Sequence, residues 1–148
     1  MITCKRIKEY LNNNYPYVET LAKLSNNSKI TTKDLAFDFD KIKCVIYPEC
    51  SSADALLIKK RLNLIEFKTG FDNPDKTLMD KTKKENLMLK IKEKADESLR
   101  ILDIGIIGQI EKIDNEKLDN GVMKVYCAVI DVGSNAVVGE DVIIDIRA

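Results

Sequence analysis

Two short apolar runs, residues 53–59 and residues 62–69, are joined by the polar Lys-Lys-Arg of residues 59–61, whose first residue is also the last of the first run. Both runs have the length and the large apolar side chains that are typical of β-strands. Because parallel neighbours need a crossover connection of about a dozen residues or more, two strands this close in sequence must pair antiparallel. A third run, residues 43–47, precedes them, so the sequence predicts an antiparallel meander of three strands.

Charged side chains interrupt both strands of the predicted hairpin. Asp54 lies near the start of the first strand, and Glu66 and Lys68 alternate with apolar residues in the second, so those two side chains share one face. A three-residue connection pairs Ile58 with Leu62 and, in the same register, Asp54 with Glu66. Charged groups within an apolar strand are costly to bury unless they are paired or bind a metal. The sequence therefore predicts that the two carboxylates converge.

Converging carboxylates on neighbouring strands are suited to a hard divalent cation. The carboxylates of Asp54 and Glu66, the backbone carbonyl of Phe67 and waters would supply the oxygen ligands that Mg²⁺ or Mn²⁺ prefers. Such a metal activates water for phosphodiester hydrolysis. Lys68 could orient that water, and its charge could offset the charge that develops on the phosphorus oxygens. We expect a metal-dependent catalytic site here.

This arrangement resembles the PD-(D/E)XK nuclease superfamily, which includes restriction enzymes, junction resolvases and many repair and phage nucleases. In that family an Asp on one strand of a meander is followed, after a turn, by Glu-x-Lys on the next strand. Asp54 matches the Asp, and Glu66 and Lys68 match the Glu and Lys, although Ala53 stands where the family name has Pro. The resemblance implies hydrolysis of DNA, more than RNA, with Mg²⁺ or Mn²⁺.

The same resemblance implies further features. The family core has the order αβββαβ, which is an α/β fold (an α+β mixed sheet) of the restriction-endonuclease type. Many members add a Glu from the first helix to the catalytic site. Glu19 is the candidate here and Glu9 the second choice, but spacing fixes neither of them.

The remaining elements are predicted from periodicity. Residues 2–26 read as a helix that is broken near Pro16, which suits the first turn of a second helix. The stretch 29–41 reads as a loop that covers apolar side chains, and residues 71–83 as a flexible link. The last predicted elements are an amphipathic helix over 85–102 and strands over 122–130 and 142–146. The helix is expected to bury one apolar stripe, formed by Met88, Ile91, Ala95, Leu99 and Leu102. The order matches αβββαβ with one added strand, in a single domain covering residues 1–148.

Composition excludes several classes of function. The chain has no His, which rules out Ser-His and Cys-His nucleophiles. Four scattered cysteines without a Cys-x-x-Cys pair favour reduced, mostly buried thiols over a zinc site. A net charge of zero, from 24 basic and 24 acidic residues, argues against a protein that coats nucleic acid by bulk charge.

The expected setting is cytoplasmic. No apolar run approaches the roughly 20 residues of a membrane span, and no secretory signal is recognised. Nucleic acid is the expected partner, no membrane is expected, and assembly into a homodimer is left open.

Two alternatives remain open at this point. Asp54 could cap the start of a strand while Glu66 and Lys68 form a surface ion pair, as in a non-catalytic member of the same fold or an unrelated α+β binding module. Lys90 and Lys94 could contact phosphate, or could form a solvated helix face.

Overall fold

The computed structural model describes residues 1–27, 30–68, 81–131 and 141–147, and it has a mixed sheet flanked by helices. The strands are β1 (Val18–Thr20), β2 (Leu35–Asp38), β3 (Ala55–Ile58), β4 (Leu62–Lys68), β5 (Lys124–Asp131) and β6 (Asp141–Arg147). The helices are α1 (Cys4–Asn14), α2 (Leu21–Ser25), α3 (Phe39–Ile46), α4 (Lys81–Arg100) and α5 (Gly108–Asp114), and a π-helical segment (Ile101–Ile107) joins the last two. The α/β class with a mixed sheet is confirmed.

The strands lie in the sheet in their order along the chain. All neighbours pair antiparallel except β4 and β5, which pair parallel. A parallel pair needs a crossover connection, and the chain between these two strands contains α4, the π-helical segment and α5. The predicted antiparallel pairing of residues 53–59 with residues 62–69 is therefore confirmed, and β5 lies parallel to the second of these strands.

The hairpin of β3 and β4 has the register that the short connection predicts. Ile58 pairs with Leu62, and the pairing continues to Ala55 with Ile65. The N–H of Asp54 also donates to the Ile65 carbonyl, at 2.9 Å, so two residues of one strand face a single residue of the other, as in a β-bulge. The regular ladder thus ends one residue short of the predicted pair of Asp54 with Glu66.

The predicted strand over 43–47 is wrong, because these residues lie at the end of α3 and just beyond it. Asp38 caps this helix by accepting a hydrogen bond from the Lys41 N–H, at 3.1 Å. Phe39 and Ile42, three residues apart, are buried on one face of the helix, whereas Val45 is exposed. The first strand of the meander is instead β2, within the stretch 29–41 that was predicted as a loop.

The predicted broken helix over 2–26 is only partly right. The first half is α1, but the second half contains the short strand β1 before α2 begins. Pro16 does not start a helix; Thr20 is the cap of α2, and its hydroxyl accepts a hydrogen bond from the Lys23 N–H at 3.2 Å. The side chain of Thr3 caps α1 in the same way.

The amphipathic helix predicted over 85–102 is present as α4 and its π-helical extension. Ile91, Ala95 and Leu102 are buried as expected, and Leu99 is half-buried against the same core. Met88 is 38% exposed, so its predicted place in the buried stripe is wrong. The helix packs on the sheet face that carries the larger core; this cluster also contains Leu56, Leu62, Leu64 and Tyr126.

Other predictions have simple outcomes. Strands β5 and β6 occupy the predicted places near the end of the chain. The predicted link over 71–83 lies outside the described residues, except that residues 81–83 belong to α4. Cys44 is exposed and the other three cysteines are half-buried, so the expectation of mostly buried thiols is wrong. In the part of the chain that the structure describes, no helix is both long and apolar enough to span a bilayer.

Candidate active site

Glu66 is the buried charge around which the candidate site is built. It lies on β4 and is only 1% exposed, so its carboxylate needs partners inside the protein. Oε1 lies 2.5 Å from Nζ of Lys94 and 3.2 Å from Nζ of Lys68. The hydroxyl of Tyr126 donates to Oε2. Two ammonium groups and one phenol therefore satisfy both oxygens of this carboxylate.

Lys94 reaches Glu66 from the middle of α4. Burial disfavours its charged form, but the hydrogen bond to Glu66, together with the negative charges of Glu66 and Asp54, outweighs burial and raises the pKa of Lys94. The ammonium therefore stays protonated. The alternative of a purely solvated face for this lysine is wrong, because its ammonium group binds a buried carboxylate.

Tyr126 reaches the same carboxylate from β5. The parallel register places Tyr126 beside Leu64, two residues before Glu66, and its side chain is fully buried. Burial, reinforced by the hydrogen bond to Glu66, raises the pKa of Tyr126 above that of a free phenol. The side chain therefore remains neutral and keeps its proton to donate.

Asp54 lies at the end of the β3–β4 ladder. Its Oδ2 accepts a hydrogen bond from the Phe67 N–H at 2.7 Å, and so satisfies a β4 amide that lies past the pairing of β4 with Ala55, the first residue of β3. Burial raises the pKa of Asp54; the Phe67 bond opposes this, and the negative charge of Glu66 adds to it. The two carboxylates are therefore close enough to interact, although they are not the directly paired residues that the sequence predicted.

The loop before Asp54 is fixed by the same helix that supplies Lys94. The hydroxyl of Ser98 accepts a hydrogen bond from the buried N–H of Ala53 at 2.8 Å. The carboxylate of Glu97 accepts one from the Ser51 N–H, also at 2.8 Å. Residues three and four positions apart lie on one side of a helix, so a single side of α4 positions both Glu66 and the approach to Asp54.

Lys68 lies where the site meets solvent. Its side chain is 22% exposed, and it lines an open cavity of about 520 Å³ between β4 and α4. The other lining residues are Ser51, Lys90, Glu93, Lys94, Asp96 and Glu97. Three lysines thus line the cavity, and two of them, Lys68 and Lys94, contact the buried carboxylate of Glu66.

The two candidate glutamates have different surroundings. Glu19 lies on β1, not on the first helix, and forms a 3.2 Å ion pair with Lys23. It lines a second cavity, of about 340 Å³, to which Asp54 also contributes. Glu9 lies on α1 and pairs with Arg6 at 3.3 Å. Of the two, the structure brings Glu19 to a cavity shared with Asp54.

The oxygen atoms near Asp54 suit a hard cation with few protein ligands. Among the described residues, no three Asp, Glu or Cys side chains are grouped so as to hold a metal ion. Mg²⁺, however, often keeps several waters and uses one or two carboxylates. The Phe67 N–H points to the Asp54 edge of β4, and in a strand the carbonyl of a residue points to the same edge as its N–H. Asp54, Glu66 and the Phe67 carbonyl are therefore the oxygen ligands that such a cation would use here.

Sequence reasoning missed Tyr126, Ser98 and Glu97 as parts of this site. It named Lys94 only as a residue that could contact phosphate. The one available signal was the pair of polar residues at positions 94 and 98, which interrupts the apolar side of α4 close to the buried Ile91 and Ala95. Polar residues at such positions indicate a buried polar partner.

Comparison of the chain with protein-family models, with curated proteins and with solved structures finds no match.

Proposed function

We propose that this protein is a metal-dependent nuclease of the PD-(D/E)XK kind that hydrolyses phosphodiester bonds. The observation that carries the proposal is the buried carboxylate of Glu66, which interacts with Asp54 and contacts Lys68, a residue that lines a cavity open to solvent. A carboxylate in the core is retained at a cost, and such groups are concentrated at functional sites.

The strand order supports this proposal. Strands β2, β3 and β4 form an antiparallel meander, α4 and α5 follow, and β5 pairs parallel with β4. This order is similar to the αβββαβ order of the superfamily core, with α3 inserted between β2 and β3 and with β1 and α2 added before them. Asp54 precedes the second of these strands, and the Glu-x-Lys pattern lies on the third, as in the family motif. The restriction-endonuclease type of core is therefore part of the proposal.

In this proposal Asp54, Glu66 and the Phe67 carbonyl hold the metal. Bound Mg²⁺ or Mn²⁺ would polarise the phosphoryl oxygen and supply an activated water. Lys68, with its ammonium group at the cavity rim, orients the attacking water and stabilises negative charge on the phosphoryl group. Lys90, exposed on the same cavity, attracts the phosphate backbone.

DNA is the proposed substrate, ahead of RNA, because the restriction, resolvase and repair enzymes that the motif resembles act on DNA. A cytoplasmic location and a homodimer, both considered from the sequence, remain predictions.

A second candidate is a non-catalytic module with the same fold. It is favoured by one observation: Lys94, Lys68 and Tyr126 already occupy both oxygens of Glu66, so the network is complete without a metal. Fully satisfied polar networks can serve to specify a unique core.

The two candidates are distinguished by cleavage assays on duplex, branched and single-stranded DNA and on RNA, with and without Mn²⁺. The wild-type protein should cleave DNA only with metal, and Lys68→Ala should lose cleavage while it still binds Mn²⁺. Lys124→Ala is the matched control, because Lys124 is exposed to the same degree (23% against 22%) and pairs with Asp103 instead. Absence of cleavage by both proteins would favour the non-catalytic module, whereas equal cleavage by both would mean that Lys68 is not part of the catalytic site.

A further inference from the structure

The position of Lys94 has a consequence for how the site would accept a metal. Its Nζ lies 2.5 Å from Oε1 of Glu66, closer than the 3.2 Å of Lys68 to the same oxygen. Tyr126 takes the other oxygen, Oε2. A cation that coordinates Oε1 must therefore share this oxygen with two ammonium groups or displace one of them.

Charge makes sharing unfavourable. Asp54 and Glu66 carry two negative charges, and Lys68 and Lys94 carry two positive charges, so the group is neutral as it stands. A divalent cation would add two positive charges within a few ångströms of both ammonium groups, and like charges at such distances repel strongly in a partly buried site. One ammonium group has to leave.

Lys94 is the better placed of the two ammonium groups to move away from Glu66. Both lysines line the open cavity, but the Lys94 side chain is 33% exposed, against 22% for Lys68, and it belongs to α4, whereas Lys68 belongs to β4. Lys94 can therefore release Glu66 without disturbing the β4 backbone that holds the rest of the site.

We propose that Lys94 is a built-in counter-cation that competes with the divalent metal for Oε1 of Glu66. The proposal rests on the proposed function, since it concerns the same metal site. Without metal, Lys94 neutralises the buried carboxylate and preserves its orientation; when metal binds, the ammonium group moves out into the cavity. Lys94 is thus a positioning residue that sets the metal affinity.

The test is calorimetric titration of the full chain with Mn²⁺ in the absence of nucleic acid. Lys94→Gln removes the charge and keeps an N–H donor for Glu66, so it should bind Mn²⁺ about tenfold more tightly than wild type, or better. Lys94→Arg keeps the charge and should show no gain. Lys90→Gln is the matched control: it removes a charge from the same cavity at a residue outside the Glu66 network, and affinity should change by no more than about twofold.

Each result decides the inference, and melting curves in a chelator first establish that every variant is folded. Equal Mn²⁺ affinity of wild type and Lys94→Gln would overturn it, and cleavage by the wild type would then leave the nuclease proposal standing. An equal gain in Lys94→Arg would also overturn it, because the cause would not be charge. Absence of Mn²⁺ binding in all four proteins would overturn both the inference and the proposed function.

Discussion

Replacing Tyr126 with phenylalanine removes a single oxygen atom from the protein interior and keeps the ring in place. The hydroxyl group is fully buried and donates to Oε2 of Glu66, which is itself 1% exposed. Lys94 and Lys68 both contact Oε1, so Oε2 loses its only donor among the described residues. The substitution therefore leaves one oxygen of a buried carboxylate unsatisfied.

The magnitude follows from that geometry. A hydrogen bond to a charged group contributes about 1.5–3 kcal/mol net, and an unsatisfied buried partner places the cost in the upper part of this range. For a chain of this size the melting temperature should fall by about 3–12 °C. Urea denaturation should show the same loss of unfolding free energy with an unchanged slope, because the surface exposed on unfolding hardly changes.

Tyr10→Phe is the control for this prediction. Tyr10 is also buried, at 8% exposure, but its hydroxyl forms no hydrogen bond within the described residues, and its ring packs edge-on against Tyr15. No buried side-chain oxygen of the described residues lacks a hydrogen-bond partner, so the Tyr10 hydroxyl reaches solvent, and its loss should change the free energy of unfolding by no more than about 0.5 kcal/mol. A Tyr126→Phe protein within about 0.5 kcal/mol of wild type, or one no less stable than Tyr10→Phe, would refute the view that this hydroxyl satisfies a buried charge.

Four further substitutions test other parts of the molecule. Burial raises the pKa of Asp54, so between the ordinary and the raised pKa the folded protein binds more protons than the unfolded chain. The free energy of unfolding should therefore fall as pH rises through that window. Asp54→Asn should lack this fall when melting temperatures are measured across acidic pH. Ile91→Ala should cost about 2–5 kcal/mol in denaturant titrations, and Met88→Ala, on the exposed side of α4, less than about 1 kcal/mol; similar losses would contradict the packing of α4. Ser98→Ala should lower the free energy of unfolding by about 1–3 kcal/mol, because it leaves the buried Ala53 N–H without an acceptor. It should also weaken Mn²⁺ binding. Unaltered binding would mean that this hydrogen bond does not position Asp54.

The β3–β4 hairpin shows what the sequence alone can predict. A three-residue connection leaves little freedom in how the strands meet, and the pairing of Ile58 with Leu62 was predicted and is confirmed. The same reasoning could not detect the bulge at Asp54, because nothing in the local pattern marks an extra residue before a strand.

The apolar residues at 43–47 predict a strand, but most of these residues belong to α3. Cys44, Val45 and Ile46 have strand-like composition, but the cap at Asp38 starts a helix upstream and the spacing of Phe39 and Ile42 continues it. Packing on one face and the capping bond override a strand preference that is worth only about 1 kcal/mol.

The partners of Glu66 were beyond sequence reasoning for a geometric reason. Lys94 lies 28 residues and Tyr126 60 residues from Glu66 along the chain. Their convergence depends on the parallel register of β4 with β5 and on the side of α4 that faces the sheet. A pattern read within one strand or helix does not contain either quantity.

The parallel pairing of β4 with β5 also delays completion of the sheet while the chain is being synthesised. Tyr126 is translated 60 residues after Glu66, which at about 5–20 residues per second is a delay of roughly 3–12 s. During that delay β4 has an unpaired edge, and exposed apolar edges recruit strands from other chains. The charges of Glu66 and Lys68 would then act as gatekeepers of the nascent hairpin, so the residues proposed for chemistry in the finished protein would first protect it from aggregation on the ribosome.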